Sequence, residues 1–375
     1  MHPSNRLVSG RGSIPDRGRA PSNLPCMRIL FDIVHPAHVH FFKNMIPVLE
    51  ARGHTTHVLA RDKEVTCRLL DDLGIPYESV GRPSRRGRIG QLKELVERNA
   101  TLVRMIRRLD ADLVVTRNPS GVQAARLAGA VGIFDTDDGS AAGLHFHAAR
   151  PFAHLLTSPD CLPERWGRRH HTYAGYKQSA YLHPDHFTPD RAVRNELGVE
   201  EGERFFLVRF VAMSASHDHG EAGMDIATKR AVVERLLEHG KVFLSTEEDP
   251  PREWAHLAFS LPPSRLHHAL AFADLIVGDS QTMSAEAAVL GTPALRASTF
   301  SGRIHYLEEL EHEYGLTWGF HPRDPDRLLK RLDQLLSGGE ALESSVREGH
   351  SRMLRDKVNV ADWFVGFIEQ CGGKV

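Results

Sequence analysis

The stretch GDSQTMSAEAAVLGTP, residues 278–293, directly follows an apolar run and ends in a Gly-Thr-Pro stop. The run before it, ADLIV at residues 273–277, predicts a strand over Leu275–Val277, and the small residues after it predict a helix. Ser280 or Thr282 can cap that helix, because a hydroxyl at a helix start accepts a hydrogen bond from one of the first amides. The segment therefore indicates a strand, a tight turn and a helix, which is the repeating unit of α/β proteins.

The start of this helix is a candidate anion site. The first amides of a helix have no partner within it, and the helix dipole is positive there, which suits a diphosphate. Glu286 lies about one turn further on, where its carboxylate can accept two hydroxyls of a ribose. The alternative is an ordinary helix with Glu286 on a solvated face. The candidate ligand-binding residues here are Asp279, Ser280, Gln281, Thr282 and Glu286.

The same alternation of strands and helices runs through the rest of the chain. Five strands are predicted between residues 27 and 137, and four more between residues 204 and 298. We expect an α/β protein with two doubly wound parallel-sheet domains, at residues 27–178 and 193–375, joined by a linker at 179–192. The last predicted helix, at residues 361–370, is a candidate to pack against the first domain. A cleft between the carboxyl edges of the two sheets should carry the functional residues.

Composition excludes several classes of function. The 375 residues are 41% hydrophobic and 25% charged, which is typical of a globular protein. With 47 basic and 48 acidic side chains, the formal net charge is −1. Because such a chain has no global field to attract nucleic acid, any anion binding must be local, and no nucleic-acid partner is expected.

The cysteines and the first residues bear on location. Cys26, Cys67, Cys161 and Cys371 show no paired spacing, so neither a disulfide framework nor a cysteine zinc site is indicated. Residues 1–26 are rich in Arg, Pro, Gly and Ser, which predicts a disordered leader with Met27 as a candidate start. No apolar run is long enough to predict a transmembrane helix. We expect a cytoplasmic protein, with the inner face of the membrane as an alternative location.

Three segments together resemble a known family. GDSQTMSAEAAVLGTPALR (278–296) resembles the nucleotide-binding segment of GT-B-type enzymes, especially UDP-N-acetylglucosamine 2-epimerases and the glycosyltransferases that share their fold. With FDIVHPAHVHFFKNMIPVLEARGH (31–54) and VRFVAMSASHDHG (208–220), it resembles domain-of-unknown-function family 354, a GT-B-like family, over residues 27–358. The resemblance implies two Rossmann-like domains facing a cleft. It also implies that Ser280 lies beside the phosphates of a nucleotide-sugar and that Glu286 binds its ribose.

The loop after the first strand carries His35, His38 and His40. No Gly-x-Gly-x-x-Gly is present there, so dinucleotide binding is disfavoured. A neutral imidazole can take a proton from an acceptor hydroxyl, and the related glycosyltransferases carry a histidine in this loop. His40 and His35 are therefore candidate catalytic bases, with buried helix-start residues as the alternative. Without a nearby cysteine or metal-binding helix motif, no metal is expected.

Carboxylates follow the fifth predicted strand. Asp135, Asp137 and Asp138 in GIFDTDDGS (132–140) would face the cleft, where Asp138 is a third candidate base. Carboxylates there can also bind sugar hydroxyls or a metal. The alternative is simple turn chemistry, since Asp and Gly are favoured in turns. This segment departs from the acidic and amide-rich pattern expected of the family.

Polar residues follow the first strand of the second domain. Arg209 can pair with a diphosphate through its planar guanidinium, and Ser214, Ser216 and His217 can add further contacts. The alternative for Arg209 is an internal carboxylate partner. A metal site at residues 217–219 is less favoured than a polar loop lining the cleft.

Two basic segments suggest weaker alternatives. The loop at residues 81–90, GRPSRRGRIG, could receive a lipid phosphate or touch an anionic membrane, although a solvated loop is favoured. The segment at 165–177, RWGRRHHTYAGYK, could stack nucleic-acid bases, but no nucleic-acid-binding fold accompanies it.

Three functions fit these patterns. The favoured one is a glycosyltransferase of polysaccharide biosynthesis that uses a nucleotide-sugar of the UDP type and a glycan or lipid-linked acceptor. A UDP-sugar 2-epimerase uses the same scaffold without an acceptor, and a sugar-nucleotide sensor binds without turnover. None of the three requires a further cofactor.

Overall fold

The computed structural model describes residues 25–62, 64–81, 87–210, 223–246 and 250–372, with residues 64 and 87–94 described by their backbone alone. Two parallel β-sheets organise these residues, one of seven strands and one of five. Helices form most of the connections between consecutive strands, since parallel pairing needs a crossover, whereas β6 and β7 are joined by residues 160–169 without a helix. The α/β architecture with two parallel-sheet domains is therefore confirmed.

The first sheet has the strand order β3-β2-β1-β4-β5-β6-β7. Its strands are β1 (Arg28–Ile33), β2 (Thr55–Ala60), β3 (Glu78–Ser79), β4 (Leu113–Thr116), β5 (Val131–Asp135), β6 (Leu155–Pro159) and β7 (His170–Tyr173). Its helices are α1 (Pro36–Phe42), α2 (Met45–Ala51), α3 (Glu64–Asp72), α4 (Gly87–Arg108), α5 (Pro119–Ala128) and α6 (Leu144–Ala149), followed by α7 (Ser179–Leu182). Strand order reverses between β1 and β4, where the chain first turns back across the sheet.

Both faces of this sheet are covered, which explains its apolar strands. In β1, Ile29 and Phe31 belong to the hydrophobic cluster on one face, whereas Leu30 belongs to the cluster on the other. Alternate side chains point to opposite faces, so a strand buried on both sides reads as an unbroken apolar run.

The second sheet has the order β12-β11-β10-β8-β9. Its strands are β8 (Phe205–Phe210), β9 (Lys241–Thr246), β10 (Leu275–Gly278), β11 (Ala294–Ala297) and β12 (Thr317–Phe320). The helices of this half are α8 (Ala192–Glu196), α9 (Ile226–Leu237), α10 (Leu266–Phe272), α11 (Gln281–Leu290), α12 (His305–His312), α13 (Pro325–Ser337), α14 (Gly339–Asp356) and α15 (Val360–Gly372). Strand order reverses between β8 and β10, so the carboxyl ends of these two strands lie at the switch point of the sheet.

The structure contains three strands that were not predicted from the sequence: β6, β7 and β12. Each is only four or five residues long. The sequence of β7 is HHTY and that of β12 contains a glycine, so β7 and β12 lack the apolar alternation that predicts a strand. They are strands because an existing sheet edge pairs their backbone. The basic segment at 165–177 therefore contributes β7 to the first sheet.

The final helix lies against elements of the first sheet. Phe364 of α15 contacts Phe41 of α1 with ring centroids 5.3 Å apart, and Glu369 accepts a hydrogen bond of 2.8 Å from Arg52. The backbone amide of Val358 also donates to the carbonyl of Ala174 at 2.7 Å. The chain thus returns from the second sheet to the first before it ends. The domain limits at residues 178 and 193 remain predictions.

Candidate functional site

Two residues of the opening stretch, Gly278 and Ser280, build the turn from β10 into α11, and a third ends the helix. Gly278 ends β10 beside β8, where an added Cβ would lie 2.1 Å from the carbonyl oxygen of Arg209, so this position needs a glycine. Ser280 is the N-cap, and its hydroxyl accepts a hydrogen bond of 3.4 Å from the amide of Met283. Gly291 ends the helix with φ of 88°. The cap is therefore Ser280 rather than Thr282.

The four residues at this helix start, Asp279, Ser280, Gln281 and Thr282, are half-buried. The start of α11 lies at the switch point of the second sheet, because β10 pairs with β8 in register from Leu275 with Phe206 to Gly278 with Arg209. Helix amides and a positive dipole end are thus placed where α/β sheets commonly bind ligands.

Glu286 is buried, with 6% of its surface exposed. It accepts a hydrogen bond of 2.7 Å from the hydroxyl of Tyr181, and Nε2 of His267 lies 3.3 Å from the same oxygen, Oε1. Burial alone would raise the pKa of Glu286, but His267 and Tyr181 favour the carboxylate more strongly and the pKa is lowered. The side chain thus points into the contact between the two halves of the molecule, not onto a solvated face.

His40 packs into the same cluster. Its ring centroid lies 5.3 Å from that of Tyr181 and 5.2 Å from that of His267. Burial, reinforced by the neighbouring His267 and Lys43, lowers the pKa of His40 to about 3. The imidazole is therefore neutral at physiological pH and only weakly basic.

The other two histidines of this loop differ in environment. His35 is exposed and caps α1, accepting a hydrogen bond of 3.2 Å from the amide of Ala37. Burial and the positive charge of Arg117 hold the pKa of His38 well below its ordinary value. The Nδ1 atom of His38 is buried and has no hydrogen-bond partner among the described residues.

Arg209 lies near the carboxyl end of β8, where it donates a hydrogen bond of 2.9 Å from Nη1 to the hydroxyl of Ser245. Its neighbour across the sheet is Gly278, so it adjoins the start of α11. The other predicted residues of this loop, Ser214, Ser216 and His217, lie outside the described residues, as do residues 82–86 of the basic loop at 81–90.

A charged cluster follows β4 and β5. Arg117 lies between two carboxylates: Nη1 is 3.1 Å from Asp135, and Nη2 pairs with Asp137, which also meets Nζ of Lys177 at 2.6 Å. Burial raises the pKa of Asp135 to about 6. Burial also opposes ionisation of Asp137, yet Arg117 and Lys177 outweigh it and lower the pKa of Asp137. Asp138 is exposed, and the adjacent charge of Asp137 raises the pKa of Asp138.

Four site residues were missed by sequence reasoning: Arg117, Lys177, Tyr181 and His267. The position of Arg117 could have been recognised from the sequence, because it ends the predicted strand segment ADLVVTR, at the carboxyl edge where functional residues are expected. Tyr181 lay in the segment interpreted as a linker, and no local pattern connects it with Glu286. Within the described part of the chain, no group of three or more His, Cys, Asp or Glu side chains is arranged to hold a metal.

Comparison with solved structures identifies the architecture. The glycosyltransferase VinC in complex with dTDP has a TM-score of 0.63 and 15% identity, covering 93% of this chain and 100% of that chain. The chain has the GT-B fold. The spinosyn forosaminyltransferase SpnP has a TM-score of 0.62 and 14% identity, covering 92% of this chain and 99% of that chain. The UDP-GlcNAc 2-epimerase from Neisseria meningitidis bound to UDP-GlcNAc has a TM-score of 0.62 and 10% identity, covering 88% of this chain and 98% of that chain.

These likenesses concern the fold alone, because the identities are low. No protein-family model matches the chain, and a search of curated proteins found no match. Membership of domain-of-unknown-function family 354 therefore stays a prediction beside the GT-B relationship. Among the described helices, none has the length and apolar character needed to cross a bilayer.

Proposed function

We propose that this GT-B chain is a glycosyltransferase that binds a nucleotide-sugar, of the UDP type, in its second half and transfers the sugar to a glycan or lipid-linked acceptor. One observation carries the proposal: the capped start of α11 lies at the switch point beside Arg209, with Glu286 about one and a half turns further along the helix. Helix starts bind phosphates, and open α/β sheets bind ligands at such switch points, which supports a nucleotide site here.

Each donor-binding residue has a distinct role in the proposal. The start of α11 and the guanidinium of Arg209 hold the diphosphate and stabilise its charge as the sugar leaves. Glu286 accepts the ribose hydroxyls. Tyr181 and His267 both contact Oε1 of Glu286, so a ribose that engages both carboxylate oxygens displaces the Tyr181 hydroxyl.

Asp138 is the favoured general base among the three candidates. His40 has a pKa of about 3, which leaves it a poor proton acceptor, and His35 already uses Nδ1 to cap α1. Asp138 is exposed, and Asp137 raises its pKa towards the working pH, which increases its strength as a base. Asp137 itself is bound by Arg117 and Lys177 and positions the loop.

Epimerisation is the second candidate, because UDP-GlcNAc 2-epimerases share the fold at similar TM-scores. It predicts interconversion of a UDP-sugar without an acceptor. Transfer predicts release of free nucleotide that depends on an acceptor.

The test begins with thermal shifts of the full chain against UDP-, dTDP-, GDP- and ADP-sugars, since a ligand of the folded state raises its apparent stability. The best ligand is then incubated with cell lipids and polysaccharide, and free nucleotide is measured against isomerised sugar. Asp138→Asn should lower turnover by roughly 10²- to 10⁴-fold and leave the thermal shift unchanged. Asp326→Asn, at an exposed aspartate of α13, is the matched control. No shift with any ligand would reject the proposal, and isomerised sugar without free nucleotide would favour epimerisation.

A further inference from the structure

A cavity of about 520 Å³ opens at the carboxyl edge of the first sheet. It lies between the segment after β1, where Val34 lines it, and the start of α5 after β4, where Pro119 and Ser120 line it. Strand order reverses between β1 and β4, so this is the switch point of the first sheet. Open α/β sheets bind ligands at such points, and the nucleotide site proposed above occupies the equivalent point of the second sheet.

The cavity is lined by two arginines, one of which is already paired with a buried carboxylate. Arg61 and Arg98 line it, and no described lining residue is acidic. Arg98 is held in place: Nη1 donates to the carbonyl of Val80 at 2.9 Å, and Nη2 pairs with Asp32, a fully buried residue behind the cavity wall. Arg61 is half-buried, directly follows β2 and brings a second guanidinium to the cavity. The start of α5 adds only its dipole, because Pro119 has no N–H and the amides of Ser120 and Gly121 donate to Asn118.

The mouth of the cavity is apolar. Leu144 begins α6 and has 85% of its surface exposed, and Leu95 of α4 is 41% exposed. Large apolar side chains exposed together at the rim of a cavity mark a surface that an apolar ligand covers. Leu144 reaches this place because Gly143 before it turns the chain with φ of 56°.

The cavity adjoins the proposed base. His145 lines the cavity, and its Nε2 atom lies 3.0 Å from the carbonyl oxygen of Arg117. Arg117 in turn pairs with Asp137, the residue before Asp138. A molecule seated in the cavity therefore borders the loop that carries Asp138.

We propose that this cavity holds the sugar acceptor and selects an amphipathic one, with an apolar body against Leu95 and Leu144 and a carboxylate or phosphate against the guanidinium groups of Arg61 and Arg98. The role as acceptor site rests on the proposed glycosyl transfer. The binding chemistry can be tested without it.

The test is calorimetric titration of the full chain with octyl phosphate, octanoate, 1-octanol and inorganic phosphate, with the amphiphiles below their micellar concentrations. An octyl chain with an anionic head should bind at least about ten-fold tighter than either octanol or phosphate alone, because a charge-assisted hydrogen bond is added to apolar burial. The two anionic amphiphiles compared with each other distinguish a phosphate-bearing acceptor from a carboxylate-bearing one.

Variants locate the binding. Arg61→Gln should weaken octyl phosphate roughly ten-fold and leave octanol unchanged, whereas Arg61→Lys should retain most of the affinity. Leu144→Glu should weaken both ligands. The matched controls are Arg104→Gln, at an exposed arginine further along α4, and Leu127→Glu, at a leucine of α5 that is 61% exposed; both should bind as the wild type does.

Octyl phosphate that binds no tighter than octanol, or that is insensitive to Arg61→Gln, would overturn the anionic part of the proposal. Insensitivity to Leu144→Glu would overturn the cavity as the site. UDP titrated into the same variants keeps the two proposals apart. Leu144→Glu should leave the affinity for UDP unchanged. If UDP does not bind the wild type, the nucleotide site is rejected, and the result with octyl phosphate still stands.

Discussion

Tyr181 and Glu286 form a hydrogen bond of 2.7 Å between the two halves of the molecule. Tyr181 belongs to α7, which follows the first sheet, and Glu286 belongs to α11 of the second. Both side chains are buried, with 3% and 6% of their surfaces exposed. Because the same carboxylate is proposed to bind ribose, nucleotide binding and packing between the halves compete for one group.

Tyr181→Phe should separate these two roles. Removing the hydroxyl leaves a buried carboxylate with one fewer donor, so the free energy of unfolding should fall by roughly 1–3 kcal/mol. The same change removes the competitor for Oε1, so UDP should bind about three- to ten-fold more tightly. Urea unfolding and calorimetric titration measure the two effects.

Tyr176→Phe is the matched control, since the Tyr176 hydroxyl donates at 2.7 Å to Glu309, another contact between the halves. It should lower stability without changing UDP affinity. Equal or weaker UDP binding by Tyr181→Phe would mean that Tyr181 does not compete with the ligand.

Arg209→Gln should weaken UDP by roughly ten-fold or more and leave uridine unchanged, because a guanidinium pairs with the diphosphate and not with the nucleoside. The control is Arg204, which directly precedes the first residue of β8 and pairs with Asp274 at 3.3 Å. Arg204→Gln should change neither affinity. A similar loss for UDP and uridine would place Arg209 away from the phosphates.

The site was predictable to the extent that its signals are local. Ser280 and Gly291 mark the ends of α11 within one short stretch, so the strand, turn and helix could be predicted from their order. Tyr181 and His267 could not be placed against Glu286, because periodicity fixes which residues share a face but not what that face meets. The strand β7 was missed for a similar reason: its polar sequence pairs only because β6 already presents an edge.

Stability should fall as the solution is acidified below pH 6.5. Burial lowers the pKa of His40 to about 3, so between these values the unfolded chain binds a proton that the folded chain excludes. The stabilisation is fully present above pH 6.5 and is lost progressively towards pH 3, at up to about 1.4 kcal/mol per pH unit. The pKa of His38 is lowered in the same direction and adds to the slope.

Urea unfolding at pH 7.5, 6.5 and 5.5 measures this dependence. His40→Gln should make the free energy of unfolding less dependent on pH, whereas His239→Gln, at an exposed histidine, should behave as the wild type does. A slope unchanged by His40→Gln would show that His40 takes up its proton as readily in the folded chain as in the unfolded one.

The proposed nucleotide site depends on the binding of ribose by Glu286. Its most direct test is calorimetric titration of UDP and 2′,3′-dideoxyuridine diphosphate into the wild type and Glu286→Gln, with Glu369→Gln as a second buried glutamate variant. We predict that Glu286→Gln weakens UDP by roughly ten-fold or more and hardly affects the dideoxy compound, since a hydrogen bond to a charged group contributes about 1.5–3 kcal/mol. Equal affinities of wild type and Glu286→Gln for UDP, or equal losses for both compounds, would contradict the claim.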